Sequence, residues 1–465
     1  MVYHRPKLHL TAHKGWMNDP NGFVYAFGKY HLFGQSNPES LGFGLMRWAH
    51  YVSSDLFSWE YVGDAISPEE PFEKPLGCFS GSSYFDGKRL HVYYTAASEG
   101  KQQQCYAYSD DGIHFTKHPG NPILGEKDLP SGYLVSDFRD PKVLMHNGKP
   151  YLLLSCRRRL GGSSILLFEG DDYASFRFKS VLFTMMTASG GMIECPDFFF
   201  SQGNEGALIF SMQYYKANDP RYYQNVHSTC YLKGILDLEK GYFLPESEIH
   251  EVDQGFDFYA LQTTYDGKRV LGGAWEGMWD RNYPSSVDGY CGNFTAVREL
   301  RLDGEKLIQS FPQELDAKAK ETLSLPSIRN ASGRKVIPAL NGDCCHLRFK
   351  ARPGEGARID LLSDNPESAL RIEFEKEKHN LLISRIGMKE SIVNVDHSSS
   401  VSHYIHMPEG LGEVSFDILL DGTAVDILIN GGRHSFSTLF YPSLGKAEFA
   451  LEGEMEIDSI RKDTF

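Results

Sequence analysis

Short β-forming runs recur along almost the whole chain, and segments with a helical period are nearly absent. Residues 22–27 (GFVYAF), 29–33 (KYHLF), 89–95 (RLHVYYT), 150–155 (PYLLLS) and 207–212 (ALIFSM) are each a few residues long and rich in Tyr, Phe, Val, Leu and Ile. Turn dipeptides such as Asp86-Gly87, Asn147-Gly148 and Asp266-Gly267 separate such runs. Many short strands joined by tight turns define an all-β chain, because a strand of this length buries its apolar face only by joining a sheet.

The 465 residues exceed one ordinary domain, and a change of texture near 302–330 suggests where the chain divides. All five tryptophans (Trp16, Trp48, Trp59, Trp275 and Trp279) precede that region. Beyond it the chain alternates strands and turns, as in residues 413–420 (EVSFDILL), Asp421-Gly422 and residues 424–430 (AVDILIN), a pattern that suits a β-sandwich. The expected organisation is a first domain over 1–302, a linker with a short helix over 303–330, and a sandwich over 331–465. The best helical segment is 312–323, around ELDAKAKE.

A formal net charge of −14 disfavours nucleic acid and anionic membranes as partners. No apolar stretch reaches the ~18 residues a membrane helix needs, and the N-terminus carries no apolar leader core. The eight cysteines are scattered without a CxxC pair, so reduced thiols in a cytoplasm are the expectation. His9 and His13 stand four apart, but Pro6 and the nearby turn argue against a helix that would bring them onto one ion. No metal or other cofactor is expected. Walker, GxGxxG, HExxH and GxSxG patterns are absent, which leaves nucleotide, zinc-protease and serine-hydrolase chemistry without support.

Three acidic sites carry the chemistry. Asp19 lies in WMNDPNG (16–22), where an aromatic ring, an amide and a carboxylate crowd into four residues; the ordinary alternative is a turn, since Asp-Pro and Asn-Gly both make one. Asp140 lies in FRDPK (138–142) beside Arg139, which would hold the carboxylate ionised if the pair were buried. Glu194 lies in ECPD (194–197) before three phenylalanines, and burial among them would keep it protonated. Two carboxylates in opposed environments are what glycosidic bond hydrolysis requires: one donates a proton to the leaving oxygen, and the other attacks or activates water.

WMNDPNG, FSGS (79–82), FRDPK and ECPD, in this order, resemble glycoside hydrolase family 32, the β-fructofuranosidases. Residues 253–262 (DQGFDFYALQ), Arg298-Glu299-Leu300 and, in the last third, 421–431 and Phe440-Tyr441-Pro442 extend the resemblance over nearly the whole chain. It implies an N-terminal five-bladed β-propeller followed by a C-terminal β-sandwich. Asp19, Ser80, Asp140, Glu194 and Asp257, spaced 61, 60, 54 and 63 residues apart, support five units of about 60 residues whose equivalent positions converge on one channel.

The resemblance also implies roles. Asp19 matches the nucleophile, Glu194 the acid/base and Asp140 the transition-state stabiliser. Asn18, Gln35, Phe79, Ser80, Arg139 and Trp275 match positions that line the fructose subsite. The implied partner is a small fructose-containing saccharide, and the sequence specifies no oligomeric state. Departures from the family pattern fall beside the acids: Phe43 stands where a tryptophan is usual, Gly34 precedes Gln35, and Glu276-Gly277-Met278-Trp279 follows Trp275. They bear on the leaving-group side rather than the chemistry. Fructosyl transfer to a second sugar is the neighbouring alternative. A non-catalytic carbohydrate-binding protein on the same scaffold would be expected to lack an acid, as would WMNDPNG be lacking from an inverting arabinosidase. For a phosphorylated sucrose, Arg47, Arg157, Arg221 and Arg281 are the basic residues that could face a phosphate.

Overall fold

A computed structural model describes residues 5–186, 191–279, 281–388, 392–394 and 401–465. The described chain is all-β: its one α-helix spans Glu314–Ala317 and the other helical pieces are short 3₁₀ turns.

Residues 15–310 form five consecutive sheets, antiparallel apart from one short parallel pair in the first. Their innermost strands are β1 (Gly15–Ala26), β2 (Pro75–Phe85), β3 (Tyr133–His146), β4 (Ile193–Gln202) and β5 (Tyr259–Tyr265). Hairpin turns follow the sequence signals. Asn147 and Gly148 both adopt positive φ (49° and 75°) between the paired His146 and Lys149, the geometry that favours Asn-Gly.

Each inner strand packs against the inner strand of the next sheet, and β5 packs against β1. The apolar side chains follow the same circuit. Phe33 and Trp48 of the first sheet meet Val92 and Tyr94 of the second; Tyr93 meets Phe138 and Leu152; Leu153 and Ile165 meet Leu208 and Phe210; Ile209 and Tyr231 meet Leu261 and Leu300; Leu271 and Phe294 return to Met17 and Leu32. Sheets covered on both faces explain why their strands read as apolar runs rather than clean alternation. The circuit closes through Tyr290 and Cys291, which pair in parallel with Gly15 and Trp16. A β-carbon on Gly292 would lie 1.8 Å from the Met17 carbonyl oxygen, so only glycine permits this approach.

After Ser310 the chain builds two further sheets, joined by one core that takes Leu347, Phe349, Ile418 and Ile427 from one sheet and Ile359, Ile372, Ile383 and Phe449 from the other. This arrangement is consistent with a propeller followed by a sandwich. The helix expected over 312–323 is confined to Glu314–Ala317, because Glu321–Leu325 pairs as an edge strand with Met455–Thr464. Sheet pairing overrides the helical propensity of that stretch.

Candidate active site

All five inner strands break register at corresponding places. The irregularities fall between Met17 and Pro20, Phe79 and Gly81, Arg139 and Lys142, Glu194 and Asp197, and Tyr259 and Gln262. Asp140, Cys195 and Ala260 have positive φ (62°, 47° and 55°) at these points. A bulge releases residues from the ladder and re-aims their side chains. Here it turns Asp19, Ser80, Asp140 and Glu194 toward one cavity of about 430 Å³, lined also by Gln35, Phe43, Leu76, Phe79, Arg139, Cys195, Gln213, Tyr214, His227 and Trp279. Two other cavities, of about 560 and 500 Å³, bring no pair of carboxylates together.

Asp19 is buried. Its Oδ2 accepts hydrogen bonds from Ser80 Oγ (2.8 Å) and Cys195 Sγ (3.8 Å), and its Oδ1 has no hydrogen-bond partner among the described residues. Burial pushes this carboxyl up to about 6 against the pull of Asn18 and Ser80, and the Glu194 charge adds to the rise. Asp140 is buried as well. Its Oδ2 accepts the Cys195 backbone N–H (2.9 Å), and its own N–H donates to Thr95 Oγ1 (3.0 Å). Burial raises Asp140 to about 7, with Arg139 opposing and Glu194 and Asp19 reinforcing the shift. One residue, Cys195, thus touches both carboxylates, through its thiol and its amide.

Glu194 departs from the expectation of an apolar nest. Its side chain is 12% exposed, Tyr259 donates its hydroxyl to Oε2 (2.7 Å), and Arg139 Nε lies 3.7 Å from Oε1. Phe198 and Phe199 turn instead into the cores on either side of β4. The Arg139 side chain also donates to Asp137 Oδ1 (3.1 Å), so the guanidinium is held between two acids.

Of the expected sugar-binding positions, Gln35, Phe79, Ser80 and Arg139 line the cavity. Asn18 and Trp275 do not; they stand behind it. Trp16 Nε1 donates to Asn18 Oδ1 (2.8 Å), and the Asn18 amide donates to Gln35 Oε1. The Trp275 ring is buried against Trp16 and Trp279, at centroid distances of 5.8 and 5.2 Å. Trp279 takes the lining position, and Phe43 packs edge-on against both Phe79 (5.5 Å) and Trp279 (5.4 Å). Asp257, fifth in the sequence regularity, belongs elsewhere: it is buried and paired with Arg281 (2.9 Å) and Arg385 (2.8 Å). The fifth bulge presents Tyr259 instead.

The sequence reading missed Tyr259, His227, Gln213 and Tyr214, and it named Trp279 only among the departures after Trp275. Tyr259 carried the one usable signal, its place in residues 253–262; the others lie at strand ends and turns with no local motif. None of the four arginines considered for phosphate lines the cavity. Arg47 and Arg221 pair with Asp64 and Asp219, Arg157 lies 3.5 Å from Asp137, and Arg281 is buried on Asp257. Among the described residues, the two side-chain groups with metal-ligand geometry lie outside the cavity.

Buried, mutually repelling carboxylates beside a glutamate within reach of a tyrosine hydroxyl form an acid–base constellation suited to acetal hydrolysis. Residues 9–311 match the model for the glycosyl hydrolases family 32 N-terminal domain, and residues 308–461 match that for the family 32 C terminal. The chain belongs to glycoside hydrolase family 32. It is a glycoside hydrolase of the β-fructofuranosidase class. It is 32% identical to the sucrose-6-phosphate hydrolase of Bacillus subtilis (strain 168), over 96% of this chain and 90% of the relative. It is 29% identical to a raffinose invertase of Escherichia coli, over 96% and 91%. Its fold is similar to that of the sucrose-6-phosphate hydrolase from Lactobacillus gasseri, with TM-score 0.85 and 26% identity over 99% of this chain and 93% of the other. A Bombyx mori β-fructofuranosidase mutant in complex with sucrose matches with TM-score 0.82 and 25% identity, over 98% and 93%.

Proposed function

We propose that this enzyme is a retaining β-fructofuranosidase that removes terminal β-D-fructofuranosyl units from small fructosides by double displacement. Sucrose, sucrose-6-phosphate and short fructo-oligosaccharides are the substrate set. The observation that carries the reading is the meeting of Asp19, Asp140 and Glu194, each from a different sheet, on one sugar-sized cavity.

In the first step Glu194 protonates the glycosidic oxygen while Asp19 attacks C2 of fructose, which breaks the C2–O bond and leaves a fructosyl ester on Asp19. The unpartnered Asp19 Oδ1 is the attacking atom, since Ser80 and Cys195 engage Oδ2. In the second step Glu194 takes a proton from water, which attacks C2 and frees Asp19. Tyr259 steadies the Glu194 carboxylate between the two steps. Asp140, held by the Cys195 amide, accepts hydrogen bonds from the fructose ring hydroxyls as positive charge develops on the ring.

The five sheets of residues 15–310 are read as five propeller blades around this channel, a reading that rests on the circuit of inner-strand contacts and the five matching bulges. The division between propeller and sandwich is placed after Ser310, later than 302, because Lys306–Ser310 pairs within the fifth sheet. A cytoplasmic location is supported by eight free cysteines, seven of them buried.

The test is a panel of sucrose, sucrose-6-phosphate, 1-kestose, inulin and levan with the purified protein, scoring free fructose. Release from at least one small fructoside, with the β-anomer first in NMR, is expected. No fructose from any of them, or the α-anomer first, overturns the proposal. Growth of kestose-type products with sucrose alone would shift it to fructosyl transfer.

A further inference from the structure

Away from the sugar cavity, a second group of buried ionisable side chains joins three distant parts of the chain. His9 comes from the N-terminal segment, Glu276 from the turn after the strand Val270–Trp275, and Asp426 from the strand Ala424–Ile429 of the second module. All three are buried, and each offers one ligand atom lying within 4.8 Å of the others.

The hydrogen bonds fix the orientation of His9. Asp421 accepts the backbone N–H groups of Lys7, Leu8 and His9 at 2.7–2.9 Å, a set of donors that holds it as a carboxylate, and its Oδ2 lies 2.9 Å from His9 Nδ1. Nδ1 therefore carries a proton, and Nε2 points at Asp426 Oδ2, 3.2 Å away. Asp426 is fastened by Arg298 (2.6 Å) and Ser437 (2.8 Å) on Oδ1 and by the Ala296 N–H (2.9 Å) on Oδ2. Glu276 is different: it is fully buried, and neither of its oxygens has a hydrogen-bond partner among the described residues. A buried carboxyl without partners is costly when ionised, and either a proton or a bound cation relieves that cost.

Charge points the same way. Asp253, Asp257, Glu276, Asp421 and Asp426 are buried together with the guanidiniums of Arg281, Arg298 and Arg385. With His9 neutral and Glu276 ionised, as a metal ligand must be, the carboxylates would exceed the guanidiniums by two. A divalent cation on the His9 Nε2 lone pair would offset that excess.

We propose that His9 Nε2, Glu276 and Asp426 bind a structural divalent cation of the Zn²⁺ type, with Asp421 as the carboxylate that orients the imidazole. One imidazole with two carboxylates is a borderline-soft nitrogen–oxygen set that favours such a cation over Ca²⁺ or Mg²⁺. The 3.2 Å between Nε2 and Oδ2 fits two ligands each ~2.0–2.2 Å from one tetrahedral ion. Binding displaces any proton resident on Nε2 or Glu276, so it weakens as pH falls. The ion ties the N-terminal segment and the second module to the turn that follows Trp275, and so braces the aromatic wall of the sugar cavity from behind. The sequence pairing of His9 with His13 is not used: His13 is exposed and stacks on Tyr61 (4.3 Å).

The experiment loads the full-length protein with Zn²⁺ in chelator-free buffer, gel-filters it and measures metal by mass spectrometry. About one Zn²⁺ per chain is expected, with a Tm several degrees above the metal-stripped form, as ligand linkage requires. His9→Gln and Glu276→Gln lose the ion and the Tm increment. His346→Gln keeps both; it alters the other group with ligand geometry, Asp316, His346 and Asp463. Absence of retained Zn²⁺, retention by the folded His9 and Glu276 variants, or loss in His346→Gln overturns the proposal. Should those variants fail to fold, X-ray absorption on the loaded wild type decides. One imidazole with oxygen neighbours supports the site, and thiolate or an all-oxygen shell overturns it.

Discussion

Replacing Asp140 by asparagine tests the electrostatics of the cavity through stability rather than rate. Burial raises the Asp140 carboxyl from 3.8 to about 7. A carboxyl whose folded value exceeds its unfolded value binds its proton more tightly in the folded state. Stability therefore falls as pH rises from 3.8 to 7, and the full cost is present above 7. About three units at 1.36 kcal/mol each give a ceiling of ~4 kcal/mol stored against folding at pH 8. Asparagine keeps the shape, and its Oδ1 still accepts the Cys195 N–H, so the variant sheds the charge without leaving that donor unpaired. An unfolding entropy of ~2.1 cal/mol/K per residue amounts to ~1 kcal/mol/K for this chain, so Asp140→Asn melts up to ~4 °C higher than wild type at pH 8. At pH 4 both carry a neutral group there in the folded state, and most of the difference is gone. Scanning calorimetry at the two pH values reads this directly. A difference independent of pH, or a less stable variant at pH 8, refutes the burial argument. Fructoside turnover is lost in the same variant, the exchange of stability for activity expected of a charged site.

Glu194→Gln leaves far-UV circular dichroism unchanged and lowers kcat on sucrose by ~10²–10⁴-fold, the range for loss of a general acid; wild-type turnover in the variant removes Glu194 from the mechanism. Because Asp19 titrates at about 6, kcat/KM falls as pH drops through 6, tenfold per unit once the carboxyl is mostly protonated, and a plateau extending to pH 4 contradicts this. Phe43→Ala removes edge contacts with Phe79 and Trp279, worth ~0.5–1.5 kcal/mol each. It raises KM several-fold with kcat nearly unchanged, and an equal fall in kcat would place Phe43 in the transition state instead.

Strand positions were legible wherever β-forming runs met Asn-Gly or Asp-Gly turns, because both signals are local. The acids were legible because each is embedded in a short run that forms its own bulge. What the sequence hid depends on contacts between distant segments. Trp275 and Trp279 are the same residue four positions apart, and the turn between them decides which ring reaches the cavity. Asp257 and Tyr259 differ by two positions, but Arg281 and Arg385 claim the aspartate and leave the tyrosine to Glu194. Residues 321–323 read as the end of a helix over 312–323 because their strand partner is the distant C-terminal Met455–Thr464. The environment of Glu194 was misjudged for a related reason: the phenylalanines after it point to the faces of β4, away from the carboxylate.

The five bulges sit where ladder pairing is already interrupted, so the side chains at those stations contribute little to holding the sheets together. Exchanging one station for another polar residue leaves the neighbouring hydrogen-bond ladders intact. The scaffold works as a rigid collar that presents its acids apart from the contacts that hold it together, so the rings at its rim, Phe43 and Trp279, can change leaving-group preference in a descendant enzyme without disturbing the acids or the fold.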